Sequence, residues 1–191
     1  MANRYIELHA RTAFSFLRGA SRPKELAVAA ADADLSAMAV CDRGGVYGTP
    51  RFYKEARACG VKPIVGCELA MADGSSLPVL MKSRQGYRNL CRLLTQSQLR
   101  SEKGEGRVTW DELPEFAEGM IALTGDEDGP LHQAWRRDGV PGVEREVGGA
   151  RVQDAQHGHH LLPSLLHHHP YPGVGLDTQL SKSVPDLVGS I

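Results

Sequence analysis

Short apolar runs alternate with helix-patterned segments from Arg4 to about Asp138, and this alternation constrains the fold more than any other feature of the chain. "RYIEL" reads as a strand, and "RPKELAVAAADA" follows it as a helix. "AMAVC" is the next strand. "GTPRFYKEARACG" then sets Phe52, Ala56 and Cys59 at helical spacing before Gly60 ends the helix. "KPIVGCEL" and "LPVLMK" read as two further strands, and "RQGYRNLCRLLTQSQL" puts Tyr87, Leu90, Cys91 and Leu94 on one helical face. "VTWDELPEF" carries Thr109 and Glu112 at capping-box spacing, and "GMIALTG" is a fifth strand. Strands followed by helices imply a largely parallel sheet, open or closed into a barrel.

The pattern stops near Gly148. Six of the eight histidines lie between His157 and His169, and Pro163, Pro170, Pro172 and Pro185 interrupt what periodicity remains. The expected division is therefore residues 1–148 as the folded part and 149–191 as a His- and Pro-rich tail of low order. Such a break reads as a frame-shifted or otherwise non-native end, with a disordered tail as the alternative.

The 191 residues suffice for one domain with a real core, or for one domain and a tail. With 22 basic and 23 acidic residues the formal net charge is -1, so any contact with nucleic acid must come from a local patch. No stretch approaches the roughly 20 apolar residues that span a bilayer. "MANRYIELHA" places charge where a signal peptide has its apolar run, so a cytoplasmic protein without membrane contact is expected. Cys41, Cys59, Cys67 and Cys91 lack CxxC spacing and read as reduced, mostly buried thiols, which argues against a thiolate zinc site.

Metal-dependent hydrolysis on a parallel α/β scaffold gathers His and carboxylate ligands at the C-terminal ends of strands. His9, Asp42 and Glu68 end the first three expected strands. Each also has a plainer reading, because a single His is commonly structural and an Asp after a strand commonly caps a turn. Arg11 and Arg43 occupy the positions where second ligands would be most useful, and a guanidinium has no lone pair to offer a metal. Either arginine can pair with Asp42 or Glu68, so a salt-bridged cluster is expected ahead of a metallated one.

The segments "YIELHARTAFSFLRGASRPKELAVAA", "AMAVCDRGGVYGTPRFYKEARACGVKPIVGCEL", "GYRNLCRLL" and "VTWDELPEFAEGMIALTGDEDGPL" together cover about residues 4 to 147. In order and spacing they resemble the N-terminal polymerase-and-histidinol-phosphatase (PHP) domain of bacterial C-family DNA polymerases, the family of the DNA polymerase III alpha subunit. "FSFLRGAS" is most similar to the error-prone, translesion branch. The resemblance implies an incomplete PHP-type (β/α)7 barrel with parallel strands, the later strands and their ligands lying beyond this truncated chain. Metal-competent members carry His-x-His, Asp-His and Glu after strands one to three. The resemblance thus makes His9, Asp42 and Glu68 ligand positions of a degenerate site in which Arg11 and Arg43 replace ligands, a departure typical of the error-prone branch.

It also implies DNA-directed DNA synthesis past lesions by the intact protein, through magnesium held in a palm domain that these residues do not resemble. No polymerase activity and no cofactor are expected of the chain alone, zinc or manganese being the alternative. Its expected partners are the remaining polymerase domains, with DNA reached through them. Two rival readings are a stand-alone metal-dependent phosphoesterase, recruiting histidines from the tail to His9, Asp42 and Glu68, and a non-catalytic interaction module.

In "FSFLRGASRP", Ser21 is expected to cap the first helix with Pro23 in its first turn, and Gly19 to permit the bend before it. Phe14 and Phe16 are expected to pack a barrel mouth or a neighbouring domain rather than stack on bases. Arg84, Arg88 and Arg92 recur every fourth residue along one side of their helix. They form either a solvated row or a contact to DNA phosphates or another domain.

Overall fold

The computed structural model describes residues 5–143. The tail expected from residue 149 onward lies outside the described residues. The chain forms two compact units, one of residues 5–69 with 78–81 and the other of 70–77 with 82–143, taking the described residues of each.

The first unit opens with β1 (Glu7–Ala10), α1 (Pro23–Asp32), β2 (Ala37–Arg43), α2 (Thr49–Ala58) and β3 (Lys62–Ala70). β1 pairs in parallel with β2, with Glu7 opposite Met38 and Ala10 opposite Val40 across an irregularity. β2 pairs in parallel with β3 from Ala37 opposite Lys62 to Arg43 opposite Glu68. Every residue of β2 is buried except Arg43, as a central parallel strand requires. The alanine-rich face of α1 lets it approach closely. Ala27 and Ala30 join Met38, Val40, Phe52, Ala56 and Val61 in one core cluster.

α1 is capped differently from the expectation. Arg22, not Ser21, is the N-cap, and its backbone N–H donates to the Glu25 carboxylate at 2.8 Å. The Ser21 carbonyl instead accepts from the Ala13 N–H at 2.8 Å, closing the base of the β1–α1 loop. Pro23 occupies the first turn, where its missing N–H leaves nothing unsatisfied. α2 ends at Gly60, whose φ of 79° allows the Val61 N–H to reach the Ala56 carbonyl at 2.9 Å. In β3, a Cβ on Gly66 would overlap the Cys41 sulfur and crowd Leu80, so this buried strand position has no room for a side chain.

β4 (Ser76–Met81) corrects the parallel expectation. Only residues 71–75 separate it from β3, and a parallel crossover needs about a dozen or more residues. The connection is a tight turn, with Gly74 at φ 88° and the Met71 N–H donating to the Ser75 carbonyl at 2.9 Å. Asp73 fixes it by accepting from the Ser75 N–H at 2.9 Å and hydroxyl at 2.6 Å. The sheet has five strands in the order β1-β2-β3-β4-β5, with β5 at Met120–Ala122, and it is mixed.

In the second unit, α3 (Arg84–Leu99) starts at Ser83, whose hydroxyl accepts from the Gly86 N–H at 3.1 Å. Its buried positions are Gly86, Asn89, Leu90, Leu93 and Ser97. This face is rotated from the expected one: Tyr87 is 38% exposed and Cys91 is half-buried. Gly86 abuts the Gly119 backbone with no room for a Cβ, and the Asn89 amide donates to the Glu118 carbonyl at 3.1 Å. α4 (Leu113–Phe116) follows the Thr109 turn, and the Thr109 N–H donates to Glu112 at 2.8 Å. α5 (Pro130–Asp138), absent from the sequence reading, begins on a proline and ends at Gly139 with φ 65°. No described helix is long and apolar enough to cross a membrane.

Candidate functional site

Parallel register in the first unit carries the ends of β1, β2 and β3 to one edge, and the polar side chains there form two clusters. In the first, Glu68 is fully buried on β3. His9 Nε2 lies 2.6 Å from its Oε1, and the Arg11 Nε donates to the same oxygen. His9 and Arg11 are each 20% exposed, so both cover the carboxylate from the solvent side. In the tautomer with the proton on Nε2, His9 donates to the carboxylate that already accepts from Arg11. That leaves no lone pair on Nε2 for a metal. The His9 backbone N–H donates to Glu7 at 2.8 Å, and the Tyr5 hydroxyl donates to the other Glu7 oxygen at 2.5 Å.

The second cluster surrounds Asp42, which is 1% exposed. Its Oδ1 accepts from the Thr12 N–H at 2.8 Å and from the Ser15 hydroxyl at 2.7 Å, and the Thr12 hydroxyl lies 2.8 Å from Oδ2. Thr12 in turn accepts from the Phe14 N–H at 3.1 Å. Gly48, the N-cap of α2, lies against this group: a Cβ there would come within 2.5 Å of Asp42 Oδ2. A buried carboxylate is costly unless its lone pairs are filled, and here three donors from the β1–α1 loop fill them.

The loop so anchored is tightly built. The Ser15 N–H donates to the Thr12 carbonyl, and the Arg18 and Gly19 N–H groups donate to the Ser15 carbonyl, each at 2.9 Å. Gly19 is required because a Cβ would overlap the Thr12 carbonyl. At the tip, Phe16 is 84% and Leu17 90% exposed, the latter at a φ of 62°. Phe14 is partly covered by Arg51, whose guanidinium sits 5.2 Å from the ring centre.

Of the five strand-end residues expected to share a site, the structure joins His9, Arg11 and Glu68. Asp42 is held by hydroxyls and a backbone N–H rather than by an arginine. Arg43 is exposed and enters no ion pair among the described residues; its backbone pairs opposite Glu68, and its N–H lies 3.2 Å from the Ser15 hydroxyl. Thr12 and Ser15 did not figure in the sequence reading. The available signal was two hydroxyls three residues apart directly after a strand, a spacing suited to loop closure around one acceptor. Arg84, Arg88 and Arg92 belong to the second unit, on the exposed side of α3.

A divalent metal does not fit these donors. Among the described residues no three His, Cys, Asp or Glu side chains converge. Burial is the main cause that pushes the Cys41 thiol well above its ordinary range. The permanent charge of Arg11 takes the place on Glu68 that a cation would need.

The sequence matches the PHP domain family over residues 7–156. It is 41% identical over 122 residues to error-prone DNA polymerase 1 of Agrobacterium fabrum, covering 64% of this chain and 11% of that protein. The error-prone DNA polymerase of Mycobacterium bovis is 37% identical over 179 residues, covering 87% of this chain and 16% of the relative. The chain thus spans 11% to 16% of the length of these polymerases. A solved protein from Bifidobacterium adolescentis, assigned as a metal-dependent phosphoesterase, overlaps 97% of this chain and 63% of its own at 18% identity and a TM-score of 0.40, which carries no argument about function. The family match spans most of the chain, including all three strand ends just described, and the chain belongs to the PHP-domain family, as a PHP domain homologous to the N-terminal regions of error-prone DNA polymerases.

Proposed function

We propose that this chain provides the N-terminal scaffold of an error-prone, translesion DNA polymerase, and that its strand-end cluster is structural. The observation that carries this reading is the convergence of His9 and Arg11 on one oxygen of the buried Glu68, with Asp42 already occupied by Thr12 and Ser15. In this reading His9, Asp42 and Glu68 keep the places of family ligands, and Arg11 supplies the positive charge a metal would bring. The strands described are the opening part of a PHP-type (β/α)7 barrel. The division into residues 1–148 and 149–191 belongs to the same proposal, with the family match running on to residue 156.

Nucleotidyl transfer, its magnesium and most contact with DNA belong in this proposal to the other domains of a cytoplasmic polymerase. The chain's partners are those domains. A hybrid provides the test, in which this chain's segment replaces the matched 122 residues of the Agrobacterium fabrum polymerase. The hybrid is expected to extend primers, and the 191-residue chain alone is not. A folded hybrid without extension, or extension by the isolated chain, would overturn the proposal.

A further inference from the structure

The exposed side of α3 is chemically unlike the rest of the chain. Its 16 residues include three arginines and no carboxylate, in a protein whose formal net charge is -1. Arg84, Arg88 and Arg92 are all exposed, and none ion-pairs with a described residue. Four-residue steps along a helix set them about 6 Å apart on one line. That stride is close to the separation of neighbouring phosphates along an extended single strand of nucleic acid.

Local stability does not explain the row. Arg84 stands at the first position of the helix, where the macrodipole is positive and a cation is unfavourable, and no acidic residue in the first turn compensates. An anion from outside the chain would do so. Arg92 is held with its guanidinium 5.8 Å from the centre of the Phe116 ring, and Arg88 and Arg92 edge an open groove of about 690 Å³. Arg100, at one end of that groove, is already neutralised by Glu112 at 2.5 Å. Glu115, which also lines the groove, leaves the arginine side as the place for an anionic chain.

The rotation of α3 adds the second component. Tyr87 lies on the same stripe as Arg84 and Arg88, 38% exposed instead of in the core. Arginines interleaved with an exposed aromatic ring form the pattern that holds single strands, with phosphates on the cations and a base on the ring. An acidic peptide would be drawn to the arginines but has no use for the ring face. We propose that the Arg84, Tyr87, Arg88, Arg92 face of α3 binds a single-stranded polynucleotide directly. This goes beyond the scaffold reading and does not depend on the identity of the strand-end cluster.

Fluorescence anisotropy of a labelled twelve-nucleotide oligothymidylate, titrated with the full 191-residue chain, provides the test. Three phosphate contacts predict a plot of log affinity against log salt with a slope of about -2. Arg88→Gln should reduce that slope by about 0.7, and the triple change Arg84→Gln, Arg88→Gln, Arg92→Gln should abolish binding while the melting temperature stays level or rises. Tyr87→Ala should weaken binding roughly tenfold at unchanged slope, and Tyr87→Phe should retain it. Arg136→Gln with Arg137→Gln, removing exposed charge from α5, is the control and should change nothing. An oligouridylate arm distinguishes DNA from RNA, and tighter binding of either than of a duplex supports the proposal. Absence of binding at low salt, an unaffected triple variant, equal loss in the α5 control, or competition by polyglutamate as strong as by the oligonucleotide would overturn it.

Discussion

Arg11 pairs with Glu68 across the ends of β1 and β3, a cation set against a carboxylate with no exposed surface of its own. Arg11 both covers this carboxylate and supplies its opposite charge, so the pairing decides whether the burial is tolerable. Breaking a buried pair from one side costs about 3–5 kcal/mol in general, and Arg11 is partly open to water. Arg11→Met is therefore expected to lower stability by about 2–4 kcal/mol in urea unfolding. Arg11→Met with Glu68→Leu should recover part of the loss. Arg43→Met should stay within about 0.5 kcal/mol of the native chain, because the Arg43 side chain is exposed and enters no ion pair among the described residues. Equal effects of the two arginine changes would contradict the geometry.

Asp42 organises the β1–α1 loop. Ser15→Ala removes one donor of a buried carboxylate and should cost about 1–2 kcal/mol. Asp42→Ala leaves the Thr12 N–H and two hydroxyls without their acceptor and should cost more, about 2–4 kcal/mol. Hydrogen exchange is the more specific check, since the Ser15, Arg18 and Gly19 amides close the loop. Their protection should fall in both variants while that of the α3 amides is kept. Loss of protection throughout the chain at Ser15→Ala would mean that the residue supports the fold at large.

The acid side of stability should depend on Arg100. Its hydrogen bonds hold the Glu112 carboxyl below the ordinary value of 4.5; burial opposes them, and the Thr109 N–H adds to them. A carboxyl depressed in the folded state contributes its full stability above the unfolded value and loses it as pH falls through the folded one. The difference in melting temperature between the native chain and Arg100→Gln should therefore be largest near neutrality and shrink below about pH 4.5. A difference that grows on acidification would refute the assignment.

Much of the first unit was legible because its signals agree with one another. "AMAVC" is apolar throughout and lies buried in β2, and Gly60 ends α2 at a positive φ. The β3–β4 turn was missed although Asp73-Gly74 is a strong hairpin signal, because two apolar runs in a strand-helix series suggest another crossover. The buried face of α3 was misplaced for a different reason. Gly86, Asn89 and Ser97 are buried by close backbone approach and hydrogen bonding, which hydrophobic periodicity cannot register, and periodicity alone turns Tyr87 inward. α5 escaped notice despite Pro130 at its start, two arginines in its last turn and Gly139 after it. At the strand ends, His9, Asp42 and Glu68 stood out as chemical types, but their partners did not. Only the folded loop shows that Thr12 and Ser15 take Asp42 and leave Arg43 outside.

Groups of the chain itself stabilise the strand-end carboxylates without a metal ion: the Arg11 charge at Glu68, and neutral donors from Thr12 and Ser15 at Asp42. Calorimetric titration of the native chain with zinc and with manganese at neutral pH tests this most directly, with Arg11→His/Arg43→His titrated alongside. The native chain should take up neither ion stoichiometrically. The double variant, in which imidazoles replace the cation on Glu68 and its exposed neighbour, should show measurable uptake. Tight one-to-one binding by the native chain, lost in His9→Ala, would contradict stabilisation by the chain's own groups.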